Sequence, residues 1–224
     1  MKIAIMQPYF MPYAGYFRLF AAVDVFVAFD CVQFPRRGWV HRNRFSNFAG
    51  EFQWLTLPLK KGDRDTTRIC DLEFQDNAVV TMRDQVQKFR ALKSLEQTSP
   101  NLSNLLLDLG NDPTQYLVNT LTEITNKLGI SRPVVRSSTL NIDPQLKGQE
   151  RIIAIAQQLG AKNYVNAPGG KEIYDAEAFQ KAGLELHFLP EYQGKYSSIL
   201  ERIIEDGEEF VAKEILQSTP SFGA

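Results

Sequence analysis

Cationic and aromatic side chains crowd the first third of the chain. Arg36, Arg37, His41, Arg42, Arg44, Lys60, Lys61 and Arg64 all precede position 65, and Trp39 and Trp54 lie among them. Guanidinium forks bind phosphate through charge-assisted hydrogen bonds worth about 1.5–3 kcal/mol each. Arg36, Arg42, Arg44, Lys60 and Lys61 are therefore expected to hold the phosphates of an anionic ligand. The competing assignment is a solvated hairpin edge protected by cations. Arg42 and Arg44 share strand parity and so project to one face. Positive neighbours depress the pKa of His41, which leaves its ring neutral and able to act as a general base.

Two further groups close apolar runs. Gln7 follows Lys2 to Met6, and Asp30 follows Val25 to Phe29. A glutamine there suits hydrogen bonding to a sugar or amide, or bracing of its own loop. Asp30 can accept from a sugar hydroxyl, hold a metal, serve as a base, or cap the next turn. Gln7, Asp30 and His41 form the expected catalytic set. Gln33 and Asn43 are expected to position a sugar, with Tyr9, Tyr13, Tyr16 and Trp39 walling the pocket and Phe10 and Phe17 in the core. Asn166 ends another apolar run and leads into Ala167-Pro168-Gly169-Gly170, where Gly169 and Gly170 can cradle an oxyanion or make a plain turn. Cys31 can be a nucleophile or a buried thiol. His187 alternates with apolar neighbours, which places it on a strand face without a catalytic role. There is no Walker loop, nucleophile elbow, zinc spacing or dinucleotide fingerprint, so neither a dedicated metal site nor a dinucleotide site is expected.

The elements that must position these groups are legible from periodicity. Lys2 to Met6, a loop, a short amphipathic segment from Tyr16 to Val23 and Val25 to Phe29 read as strand, loop, helix, strand. Phe45 to Leu59 reads as a β-hairpin turning at Asn47 to Gly50. Positions 78–129 read as helices, broken at Pro100 and restarted by Asp112-Pro113. Strands at 133–139, 163–166 and 184–189 then alternate with helices at 149–159, 176–182 and from Ser198 to about Asp206. This predicts one α/β domain over 1–224, a mostly parallel Rossmann-like sheet flanked by helices, with a β-hairpin near 45–59 and a helical insertion or small subdomain near 78–129. In such sheets ligands lie outside the carboxyl ends of the strands. The closing QSTPSFGA is expected to fray.

Bulk properties narrow the function classes. With 224 residues, 44% hydrophobic and 23% charged, the chain has the make-up of a soluble globular protein. A net charge of −1 gives no electrostatic footprint for nucleic acid or an anionic membrane. Two cysteines are too few for a disulfide framework. The leading apolar run is broken by Gln7 and Pro8, unlike a signal peptide, and no run reaches membrane-spanning length, so a cytoplasmic protein without membrane insertion is expected.

The segments MQPYFMPYAGYFRLF, FDCVQFPRRGWVHRNR, LTLPLKKG, VRSSTL, LGAKNYVNAPGG and SILERIIEDG occur in the order seen in the WbqC-like protein family, which the chain resembles over nearly its whole length. Asp30, Val32, Gln33, Gly38, Trp39, Arg42 and Asn43 fit the family's second motif, whereas Cys31, Arg36 and His41 depart from it. The resemblance implies surface-polysaccharide (O-antigen) biosynthesis, with acyl or glycyl transfer to an amino sugar on a nucleotide carrier. The implied partner is a phosphorylated or nucleotide-sugar small molecule. In fold the chain also resembles HIGH-motif nucleotidylyltransferases and pantothenate synthetase, with Tyr13-Ala14-Gly15-Tyr16 and Tyr196-Ser197-Ser198-Ile199 in the places of their two phosphate motifs. That likeness implies nucleotidyl transfer or ligation using Mg²⁺ with ATP or CTP. A non-catalytic sugar-nucleotide-binding protein is the third class.

Overall fold

Lys2–Met6 is extended because Ile3, Ala4 and Ile5 are all buried, which a strand achieves only with both faces covered. A computed structural model describes residues 1–93 and 95–222. In it this strand (β1) is the middle of a five-stranded sheet in which every pair is parallel. Its neighbours are β2 (Val25–Ala28) and β6 (Asn163–Asn166), and β5 (Val134–Arg136) and β7 (Glu185–Phe188) form the edges. The order β5-β2-β1-β6-β7 is Rossmann-like, and chain direction across the sheet reverses between β1 and β6. The carboxyl ends of those two strands are thus the switch point at which such sheets bind ligands.

The side-chain period of two divides the core. Ile3, Ile5, Val27 and Tyr164 face one layer, formed by α7 (Gly148–Gln158) and α8 (Ala176–Lys181). Ala4, Phe26, Ala28 and Val165 face the other, which holds α1 (Ala14–Ala22), α9 (Ile199–Asp206) and α10 (Glu208–Gln217). The segment joining β2 to β5 carries the hairpin β3 (Arg42–Ser46) and β4 (Phe52–Thr56), then α2 (Ala78–Val86), α3 (Arg90–Lys93), α4 (Leu95–Thr98), α5 (Pro100–Leu107) and α6 (Pro113–Lys127). Its apolar side chains, including Phe45, Leu55, Met82, Leu106, Leu117 and Leu121, join the α1 layer. The helices and hairpin therefore act as the crossover between two neighbouring parallel strands, on the same sheet face as α1.

Local signals explain most boundaries. Asp112 caps α6 by accepting from the Thr114 and Gln115 N–H groups at 2.8 and 3.1 Å. In the hairpin turn, Asn47 Oδ1 accepts from the Ala49 and Glu51 N–H groups, and Gly50 takes a φ of +80°. Three expectations need correction. The strand expected over 133–139 stops at Arg136, because Ser137 and Ser138 turn inward onto Asp30. A further helix, α10, follows Gly207, with Val211 and Ile215 packed into the core. The tail is also anchored as far as it is described: the Phe222 ring lies tilted against His187 at 4.9 Å, and the Phe222 carbonyl accepts from Lys2 Nζ at 3.0 Å. Gly223 and Ala224 lie outside the described residues.

Candidate functional site

The loop Gln7–Tyr13 leaves β1 at the switch point and is held from three sides. Tyr16 donates its hydroxyl to the Gln7 carbonyl at 2.8 Å. Asn43 Nδ2 donates to the Phe10 and Met11 carbonyls at 3.2 and 2.5 Å. Ser198 Oγ donates to the Met11 carbonyl at 2.9 Å, and the Ile199 N–H reaches the Pro12 carbonyl at 2.8 Å. Met11 has φ +44°, a left-handed conformation that non-glycine residues seldom adopt; its doubly bonded carbonyl holds it there. Gly15 is equally constrained, since a Cβ would lie 2.3 Å from the Tyr13 ring and 2.8 Å from Tyr192. Only glycine lets Tyr13 fold back onto Tyr196, whose ring it stacks on at 4.9 Å.

Several residues expected at a ligand prove to belong to this scaffold. Tyr16 is only 4% exposed, and burial raises its pKa well above the ordinary value. It supports the loop from within instead of walling a pocket. Asn43 is buried, and its Oδ1 accepts from the Arg44 N–H, so both ends of its amide are engaged. Asn166 is buried with Oδ1 on the Ala167 N–H at 2.8 Å. The Gly170 and Lys171 N–H groups close back on the Ala167 and Pro168 carbonyls, which is the plain-turn alternative for Gly169-Gly170. Gln7 and Tyr9 are half-buried at the strand end, and the Gln7 side-chain amide makes no hydrogen bond to a described residue.

Asp30 is 0% exposed. One carboxylate oxygen accepts from Ser137 Oγ at 3.0 Å and the Ser138 N–H at 2.7 Å; the other accepts from Arg136 Nε at 2.8 Å and Ser138 Oγ at 2.7 Å. Four donors occupy the four lone-pair directions a carboxylate has. Arg136 continues to Asp112 at 2.9 Å, so the cap of α6 is tied to the ends of β2 and β5. The geometry gives Asp30 the role of a buried tie.

The basic residues distribute over three cavities, none of which is walled by Gln7, Asp30, Asn166, Gly169 or Gly170. The first, about 390 Å³, gathers Arg36, His41, Lys60, Lys61, Gln75 and Gln85. The second, about 690 Å³, shares Arg36 with it and adds Gln33, Arg37 and Arg64. The third, about 450 Å³, lies between the hairpin and α9 and includes Trp39, Arg44, Tyr196 and Glu201. Arg42 lines none of them; its guanidinium stacks 4.1 Å from the Trp54 ring and donates to the Arg37 carbonyl at 3.0 Å. Lys60 pairs with Glu73 and Asp76 at 3.3 and 3.4 Å, whereas Arg36 donates to the Gly62 carbonyl and Lys61 makes no ion pair with a described residue.

His41 is the distinctive group of the first cavity. Burial, and after it the Arg42 charge, pushes its pKa down to about 4. Its Nδ1 is buried without a partner among the described residues, and Phe34 meets the ring edge-on at 4.9 Å. The imidazole is therefore neutral at pH 7 beside three cations. In an NMR titration its ring protons are expected to move with a midpoint near 4, below the ordinary value of about 6.5. A midpoint at the ordinary value would show an open, solvated ring. Cys70, by contrast, is pushed up to about 11, by burial above all, and is a protonated thiol at neutral pH.

Sequence reasoning missed Arg136 and Glu201 as site or scaffold groups. Glu201 follows Ile199 and Leu200 on a helix and reads as an ordinary solvated acid. Its carboxylate is instead 1% exposed, with Oε1 on the Ser46 N–H at 2.9 Å. No local pattern announces that contact across 155 positions of sequence.

The sequence model of the WbqC-like protein family matches residues 7–202. A relative described as uncharacterized protein Rv1507c, from Mycobacterium tuberculosis, is 28% identical over 208 residues, covering 86% of this chain and 83% of the relative. No solved structure matches the chain. Among the described residues, no helix is long and apolar enough to cross a membrane.

Proposed function

The chain belongs to the WbqC-like protein family, and on that premise we propose that it is a transferase of surface-polysaccharide biosynthesis that moves an acyl or aminoacyl group onto the amine of a nucleotide-linked sugar. The observation that carries this reading is the neutral His41 lining a cavity whose other polar walls include Arg36, Lys60 and Lys61. Phosphates of the carrier rest against Arg36 and Lys61, where paired bonds suit them. The free amine forms a C–N bond to the acyl carbon, the bond from that carbon to its carrier breaks, and the carrier leaves as an anion. His41 takes the proton that the nitrogen sheds. Bound phosphate adds negative charge beside the ring and raises its pKa from about 4 toward the working pH, where a general base is most effective.

The test combines calorimetry with mass spectrometry, using UDP-glucosamine, UDP, ATP, CTP and acetyl-CoA. UDP-glucosamine is expected to bind, and both Arg36→Ala and Lys61→Ala to weaken it roughly 10- to 100-fold, the equivalent of one charge-assisted bond. His41→Ala is expected to keep binding and lose amide formation. Binding unchanged by either cation variant would overturn this reading. Strong binding with no product from any donor would assign the chain to the non-catalytic sugar-nucleotide binders.

One observation favours a second reading, nucleotidyl transfer with Mg²⁺ and ATP or CTP. The loops carrying Tyr13-Ala14-Gly15-Tyr16 and Tyr196-Ser197-Ser198-Ile199 are paired through a bridge between Tyr13 and Ser198. They meet beside the switch point, as two phosphate-binding loops on such a scaffold must. Pyrophosphate release from ATP or CTP is the measurement that supports it.

A further inference from the structure

Glu201 and Glu205 lie one turn apart on α9 and both line the cavity between that helix and the hairpin. Glu205 is exposed, but Glu201 is 1% exposed and has an oxygen to spare. Oε1 accepts from the Ser46 N–H, while Oε2 is buried with no partner among the described residues. Ser197 Oγ, on the same cavity, is likewise buried with no partner among the described residues. A buried carboxylate oxygen left without a donor is costly, so a native fold seldom retains one without a use for it.

The cations nearby do not answer it. Arg44 lines the cavity, but its guanidinium lies 5.6, 5.9 and 5.7 Å from the Trp39, Phe52 and Trp54 ring centres and makes no ion pair with a described residue. Lys195 pairs with Asp206 at 3.3 Å. The rim is aromatic: Trp39, Phe52 and Tyr196 are 39%, 58% and 62% exposed, large values for such side chains. An acceptor at the floor beneath exposed π-faces is the combination that selects an organic cation, whose N–H groups satisfy the carboxylate while ring quadrupoles attract the charge.

We propose that this cavity is a binding site for a small primary ammonium ligand, its nitrogen donating to Glu201 Oε2 and its carbon body lying against Trp39, Phe52 and Tyr196. The cavity of about 450 Å³ accommodates a molecule the size of a monosaccharide. Glu201, Trp39 and Phe52 take no part in the phosphate cavity, so the proposal stands apart from the transferase reading.

The experiment pairs each amine with a neutral counterpart: glucosamine with glucose, and benzylamine with benzyl alcohol. Binding is read by tryptophan fluorescence, because Trp39 lines the cavity and Trp54 lies 5.3 Å from it. Each amine is expected to bind more tightly than its neutral partner, and Glu201→Gln to weaken the amine roughly 10- to 100-fold while retaining the Ser46 contact. Phe52→Ala removes an exposed ring without disturbing the core and is expected to weaken both amines about threefold, a cation–π contribution at a partly exposed site. Equal binding of amine and neutral partner, no binding of either amine, or amine binding unaffected by Glu201→Gln in a folded protein would each overturn the proposal.

Discussion

Asp30→Ala is expected to lower the unfolding free energy by about 3–5 kcal/mol, because removing one partner leaves the other side of a buried ion pair uncompensated. Arg136, whose side chain is 19% exposed, would keep only its contacts with Asp112 and Gln115, and Ser137 Oγ, Ser138 Oγ and the Ser138 N–H would lose their acceptor. Those groups sit where β2, β5 and the cap of α6 meet, so the loss falls on the joint between sheet and insertion. Asp30→Asn keeps one acceptor oxygen and is expected to fall between the two. Urea unfolding measures the loss, and a double-mutant cycle with Arg136→Ala isolates the pair. A change below about 1 kcal/mol would mean that water repairs the site. If Asp30 were the base, Asp30→Asn would abolish turnover at full ligand affinity; the tie predicts that activity falls only as the folded fraction does.

Arg202→Met should destabilise by about 3 kcal/mol at neutral pH, the lower end of the range for a broken buried pair, since its partners keep some contact with water. Arg202 is 1% exposed and bonds Asp206 within α9 and Glu214 of α10, at 2.9 Å for the latter; Tyr192 donates to the same Glu214. The bond to Arg202 holds the Asp206 carboxyl below the ordinary range. Burial pushes Glu214 upward, but its bonds to Arg202 and Tyr192 outweigh that and leave it lowered as well. Carboxyls whose folded pKa is depressed contribute stability that is complete above the ordinary range, near pH 4, and is lost as pH falls through the folded values. The gap in unfolding free energy between wild type and Arg202→Met is therefore expected to narrow between about pH 5 and about pH 2. A gap constant across that window would mean that the arginine contributes only packing.

Much of the architecture was present in local pattern. The buried run Lys2–Met6, the Asn47–Gly50 turn and the Asp112-Pro113 start each depend on neighbours within a few residues, so periodicity and capping chemistry located them. The fold class followed, because alternating strands and helices admit few arrangements. Gathering basic residues before position 65 also pointed to the region that carries the cavities. The direction of the His41 shift was legible from its charged neighbours, but burial, which no local pattern shows, is the larger cause. α10 escaped because Gly207 ended the preceding helix and no strand or turn marked what came next.

Residue types at strand ends determined which groups could do chemistry; only the folded chain decided which of them are free to do it. Asp30, Asn43 and Tyr16 have the same donors and acceptors on paper as any ligand-binding group, yet their partners come from Arg136, Ser138, Phe10, Met11 and the Gln7 backbone. Conversely, Glu201 reads as an ordinary surface acid and becomes a buried, half-satisfied carboxylate only when the hairpin closes over α9. Whether a polar group is available depends on who else satisfies it, and in this protein most of those partners lie far along the chain, where pattern cannot reach and packing alone brings them together.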